Sequence, residues 1–223
     1  MKLYQIIEIV ALLSGLIFYK TIRPDFLKII AVLLIITVIN ECLIVPYIKM
    51  TGIINRNYAY NIFSLVDISI WFFTFYKIEN NKTFKKVIVG AALICLAYTL
   101  LELTVLKSWE LLHPDSFRVY NIIMVVMATR YFYIIMLKEY HNILLDSIFW
   151  ISTGCFLFHF IFFVNITMLA EDKFWDEKTS RLIFNFLHNI ANILYYNCLS
   201  IAFYVCYLNY NRALKKSPPA SYK

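Results

Sequence analysis

The 223-residue chain is 61% hydrophobic and 18% aromatic, with only 16% charged residues, a net charge of +7 and a mean hydropathy of +0.69. A water-soluble domain of this length has no core large enough to absorb so many apolar side chains, so the composition excludes a soluble globular protein and assigns the chain to a bilayer. The positive balance is then read as chemistry at a lipid surface and not as a nucleic-acid interface.

A helix needs about 20 apolar residues to cross roughly 30 Å of hydrocarbon. Seven stretches qualify, near 3–19, 26–48, 57–76, 86–106, 117–137, 145–169 and 182–208. The expected fold is all-α: one seven-helix transmembrane domain over 1–210 and a short basic tail, 211–223. In the first stretch Lys2 precedes an apolar run, as in a secretory signal. No small-residue cleavage site follows and "FYKTIRPD" ends the run, so the stretch is expected to stay as a helix; it carries Glu8. The second holds Thr37, Asn40 and Glu41, with Pro46 near its end. The third holds Asn57, Asn61, Ser64, Asp67 and Trp71. Glu102 lies in the fourth, Asn121 and Arg130 in the fifth, and His159 in the sixth.

The seventh stretch contains "FNFLHNIANILYYNCLS". Asn185, His188, Asn189, Asn192 and Tyr196 recur at helical spacing and share one face. Unsatisfied polar groups in hydrocarbon are costly, so this face is expected to turn away from lipid. Four odd-numbered stretches also open alike, with "YQIIEIV", "YNIFSLV", "YNIIMVV" and "FNFLHNI" at near-constant spacing. The pattern reads as parallel helical hairpins followed by an unpaired last helix. It would set Gln5, Asn61, Asn121 and Asn185 at one depth.

Basic residues set the orientation, because cytoplasmic loops retain Lys and Arg. One side collects Lys20, Arg23, Lys28, Lys77, Lys82, Lys85, Lys86, Lys138, Arg212, Lys215, Lys216 and Lys223. The other has Lys2, Lys49, Arg56, Lys107, Arg118, Lys173, Lys178 and Arg181, together with Glu110, Asp115, Glu171, Asp172, Asp176 and Glu177. The expected topology is N-terminus outside and C-terminus in the cytoplasm. Trp109 and Trp175 fit an outer interfacial belt and Trp150 an inner one. The tail "RALKKSPPASYK" is expected to meet anionic inner-leaflet lipid.

The ionisable residues inside spans carry the functional reading, since such groups pair, become neutral or line water. Glu8, Glu41, Glu102, His159 and His188 fall toward the outer half. With Asn61, Asn121, Asn185 and Asn192 they are the candidate ligand-binding set of an outward-facing cavity. Asp67 and Arg130 are the candidate ion pair, either a packing contact between helices or a switch. The same polar set can instead form an interhelical hydrogen-bond network, or a zinc site of two histidines and a carboxylate, although no His-x-x-x-His spacing supports a metal.

Cys42, Cys95, Cys155, Cys198 and Cys206 all fall in spans and never as Cys-x-x-Cys, which argues against a disulfide framework. No lysine lies in 182–208 to form a retinal Schiff base, and neither a phosphate-binding Gly-rich loop nor a Gly-x-Ser-x-Gly elbow occurs. No cofactor is implied. Three functions remain open: a receptor or sensor module that binds a small polar signal or proton and relays to a cytoplasmic signalling partner, a small-solute or proton-coupled transporter, and an intramembrane enzyme acting on lipid. The scarcity of Gly and Pro breaks favours the sensor. The sequence does not fix an oligomeric state.

Overall fold

The computed structural model describes residues 3–22, 24–52, 54–106, 108–110, 114–137, 142–170 and 177–216. Lys2, Arg23, Lys107, His113, Lys138, His141, Glu171, Asp172, Lys173, Trp175, Asp176 and the tail from 217 onward lie outside them. The described residues form helices and no strand. We label the rods α1 (Leu3–Ile17), α2 (Asp25–Thr51), α3 (Asn57–Ile78), α4 (Lys82–Leu106), α5 (Pro114–Leu137), α6 (Ser147–Ala170) and α7 (Glu177–Lys216). Six of them, α2 to α7, are long and apolar enough to cross a membrane.

The expected boundaries shift for local reasons. α1 has 15 residues and stops at Ile17, where a 3-10 turn over Tyr19–Thr21 takes over. α4 begins earlier than expected because the Asn81 side chain caps it, accepting from the N–H groups of Thr83 at 2.9 Å and Phe84 at 3.2 Å. α5 opens on Pro114, a residue suited to the first helical position. α6 starts after Asp146, whose carboxylate accepts from the Ile148 N–H at 2.8 Å. α7 runs for 40 residues, about 60 Å at 1.5 Å per residue, and extends well past both expected ends.

Consecutive rods pack against each other around the bundle, and α1 closes the ring by packing on α7 as well as α2. Gly15 permits that closure: a Cβ there would stand 3.2 Å from the Phe203 ring. α3 carries the deepest residues, among them Ile68, Trp71, Phe72 and Phe75, and reaches α5 and α7 through side chains. Phe75 stacks on Tyr131 of α5 at 5.2 Å, and Trp71 meets Tyr195 of α7 at 6.1 Å. Outside the ring the surface is apolar, with Val10, Leu43, Leu93, Ile94, Val126 and Phe186 all exposed. A surface of this kind is compatible with a membrane-embedded protein.

The tightest crossing is between α6 and α7. A Cβ on Gly154 would lie 2.8 Å from the Cys198 Cβ and 3.3 Å from the Tyr195 carbonyl oxygen. Both obstacles belong to backbone or its first side-chain atom, so neither can swing away. Gly154→Ala is therefore expected to destabilise the fold by about 1–3 kcal/mol, the usual cost of overpacking. Thermal unfolding of the purified variant in detergent checks this, with Gly90→Ala as the control because nothing lies within 4 Å of Gly90.

Candidate functional site

The candidate residues divide into three groups. The first sits where the start of α1, the end of α2 and the starts of α3 and α7 meet. On α1 the buried residues Tyr4, Glu8, Ala11 and Gly15 follow helical spacing and face the interior. Glu8 is fully buried, and neither of its carboxyl oxygens has a hydrogen-bond partner.

Glu41 reaches the same place through a backbone irregularity. Residues Asn40–Ile44 form a π turn inside α2, in which the Val45 N–H bonds to the Asn40 carbonyl. Pro46 follows and has no N–H to give, so the helix leaves the Glu41 carbonyl without its usual donors. The Gln5 side-chain amide takes that role across the interface, donating to the Glu41 oxygen at 3.3 Å. The Tyr4 hydroxyl donates to the Glu41 carboxylate at 3.3 Å. The Tyr60 phenol lies against the same carboxylate, and Glu8 and Glu41 are close enough for their charges to interact. His188 of α7 packs edge-on to Tyr4 at 5.6 Å and stacks on Phe184 at 5.9 Å. Asn192 turns back onto its own helix, donating to the His188 carbonyl at 2.8 Å.

A second group lies deeper, between α3, α5, α6 and α7. The Tyr120 hydroxyl donates to Asp67 at 2.9 Å. Tyr120 also meets the ring of His159 edge-on at 5.1 Å, and His159 Nδ1 lies 2.6 Å from Asn121 Oδ1. The Asn121 amide meanwhile donates to the Phe117 carbonyl at 2.7 Å, so its oxygen faces His159 and the proton belongs on Nδ1. His159 Nε2 is left buried and without a partner.

The third group holds helix ends together. Glu102 opens a second π turn, Glu102–Leu106, and its carboxylate accepts from the Ser116 N–H at 2.8 Å. That donor belongs to the first turn of α5, where N–H groups lack intrahelical partners and the helix dipole favours an anion. Asn61 donates to the Trp109 carbonyl at 2.8 Å and Asn57 to the Glu110 carbonyl at 2.6 Å, tying the α4–α5 connection to α3. These bonds give Glu102 and Asn61 structural partners, which a sequence pattern of polar residues near span ends does not reveal. Glu102→Ala is expected to cost about 1–2 kcal/mol, as for a lost N-terminal cap, read as a lower unfolding temperature with no change in ligand or proton binding.

Two sequence-based expectations meet a different geometry. Asn185 is exposed on α7, whereas Asn192 and Tyr196 of the same expected face are buried and His188 is half-buried. The face begins to turn inward only after the first helical turns of α7. Asp67 and Arg130 are not brought together: Arg130 Nε donates to Glu79 at 2.9 Å, while Asp67 is held by Tyr120. Asp67 and Glu79 are 12 positions apart, about 18 Å along α3 at 1.5 Å per residue. Arg130 lies level with the end of that helix and not with its middle.

Glu79 was not among the expected functional residues because it falls just beyond the apolar run. Its signal is present nonetheless, as the single acid amid Lys77, Lys82, Lys85 and Lys86. Among the described residues no three His, Cys, Asp or Glu side chains cluster to hold a metal ion. The chain matches no family model, no curated protein and no solved structure.

Proposed function

We propose that the chain is a seven-span integral membrane protein, with its N-terminus outside and its C-terminus in the cytoplasm, that binds a proton at Glu8 and Glu41 and acts as a sensor. One observation carries this reading: Glu8 is buried, both of its oxygens lack hydrogen-bond partners, and a second carboxylate, Glu41, lies within electrostatic reach. An unpartnered carboxylate in such surroundings is costly, which drives Glu8 to take a proton as its surroundings acidify. The Glu8 oxygens are buried, and a proton is the cation that adds no bulk there.

The orientation is supported by the basic residues at the opposite end of the bundle. The short α1 is supported as a span by its place in the closed ring, where packing and local thinning of the bilayer accommodate the mismatch. Relay to a cytoplasmic partner, with the basic C-terminal end on anionic lipid, completes the reading.

A second reading, a proton-coupled carrier, draws on the π turns at Asn40–Ile44 and Glu102–Leu106, since such turns recur at functional sites. The two readings separate in proteoliposomes. A sensor takes up protons stoichiometrically when the outer face is acidified but sustains no flux, and a carrier sustains flux. Uptake unchanged in Glu8→Gln would sink both.

A further inference from the structure

We propose that the α3–α4 turn binds the headgroup of an anionic phospholipid through Lys77, Lys82, Lys85 and Lys86, a site separate from Glu8 and from the basic C-terminal end. Among the described residues none of these four ammonium groups meets an acid. The acid that lies between them in the chain, Glu79, is buried and already engaged: it accepts from Arg130 Nε at 2.9 Å and from the N–H groups of Asn80 and Asn81. At the same end of the bundle Asp25 pairs with Lys28 and Asp146 caps α6. The positive charge of the turn is therefore left for an anion from outside the chain.

The fold gathers these charges instead of spreading them. Lys77 lies over the Phe73 ring at 5.3 Å, and Lys85, reaching across from α4, lies over the Tyr76 ring at 4.8 Å. Phe73 and Tyr76 are three positions apart on α3 and so are neighbours on its surface. An ammonium from each helix is thereby held on one side of α3. On α4, Lys85 and Lys86 follow Lys82 by three and four positions, the spacing at which side chains meet and like charges repel. They also stand in the opening turns of α4, where the helix dipole disfavours cations. A bound anion relieves both costs.

Apolar surface continues directly from the charges, which selects a lipid over a soluble anion. Lys82, Lys86, Val89 and Leu93 recur at helical spacing on one face of α4, and all four are exposed. Phe73, beneath Lys77, is exposed as well. A phosphate held by the lysines thus has its acyl chains against Val89, Leu93 and Phe73. Lysine suits this junction, because its stem lies along apolar surface while its ammonium reaches the polar layer.

The test is native mass spectrometry of the full chain released from detergent, titrated with phosphatidylglycerol or with phosphatidylcholine of the same acyl chains. Wild type should bind its first phosphatidylglycerol at least roughly tenfold more tightly than phosphatidylcholine. Lys77→Gln and Lys85→Gln should each weaken that step about fivefold, the scale of one basic residue at an anionic lipid surface, and leave phosphatidylcholine binding unchanged. Lys85→Arg keeps the charge and the ring contact, and should keep the wild-type affinity. Arg212→Gln combined with Lys215→Gln and Lys216→Gln should leave the preference intact. Equal binding of the two lipids by wild type overturns the proposal, as does a preference that survives Lys77→Gln with Lys85→Gln but disappears with the three substitutions near the C-terminus. Inorganic phosphate that displaces phosphatidylglycerol at equal concentration would show a soluble-anion site and overturn it too.

Discussion

Glu8→Met is expected to abolish the proton response of the reconstituted protein while raising its resistance to unfolding. The two effects have one cause. Glu8 is fully buried with both oxygens unpartnered, and leaving a buried polar group unsatisfied costs about 1–3 kcal/mol, more when it is charged. Methionine keeps much of the volume and removes the penalty, so stability should rise by an amount on that scale. Glu41→Gln is the informative contrast. The Glu41 carboxylate is bonded by Tyr4 and lies against Tyr60, so its replacement weakens satisfied contacts and should lower stability while also reducing uptake. A residue that the fold would be better without is one retained for a task. If Glu8→Met lowers the unfolding temperature and leaves proton uptake intact, Glu8 is a structural residue and the site is misassigned.

Much of this was readable from residue type and spacing. The apolar runs gave the helices, because only a helix satisfies its backbone within one segment in lipid. Glu8, Asn192 and Tyr196 turn inward as helical periodicity requires. The α2 π turn was not readable, although its ingredients were: Pro46 removes a donor, and Gln5 supplies one from another helix. Pairing across helices was beyond the sequence, since it depends on relative depth. A shift of a little over three helical turns, roughly 18 Å at 1.5 Å per residue, separates the expected partner of Arg130 from the observed one. Glu102 shows the same limit from the other side. An acid near the end of a span reads equally as a cavity residue or as a cap for a neighbouring helix, and only the position of Ser116 decides between them.

The Glu79–Arg130 pair supplies the other large effect, and its two halves should not be equivalent. The Glu79 side chain is 3% exposed and that of Arg130 is 26% exposed. Glu79 also fastens the α3–α4 turn, accepting from the N–H groups of Asn80 at 2.9 Å and Asn81 at 2.8 Å. Arg130 lies over the Phe84 ring at 3.5 Å, a contact that holds the cation even without the acid. Arg130→Met leaves a buried carboxylate uncompensated and should cost about 3–5 kcal/mol. Glu79→Gln leaves a cation that keeps its ring and some solvent, and should cost clearly less. The double variant should recover part of the Arg130→Met loss, because no orphaned charge remains. The pair also predicts a pH dependence. Burial raises the Glu79 carboxyl, but the Arg130 hydrogen bond, the Asn81 and Asn80 N–H groups and the Arg130 charge together outweigh it and leave it below the ordinary 4.5 of a glutamate. A carboxyl lowered in the folded state binds fewer protons there than when unfolded, so its contribution is full above 4.5 and fades as the pH falls through the folded value. Unfolding curves of wild type and Glu79→Gln should therefore converge in acid. Curves that stay parallel from neutral pH downward would show that the pair is not what holds this end of the bundle.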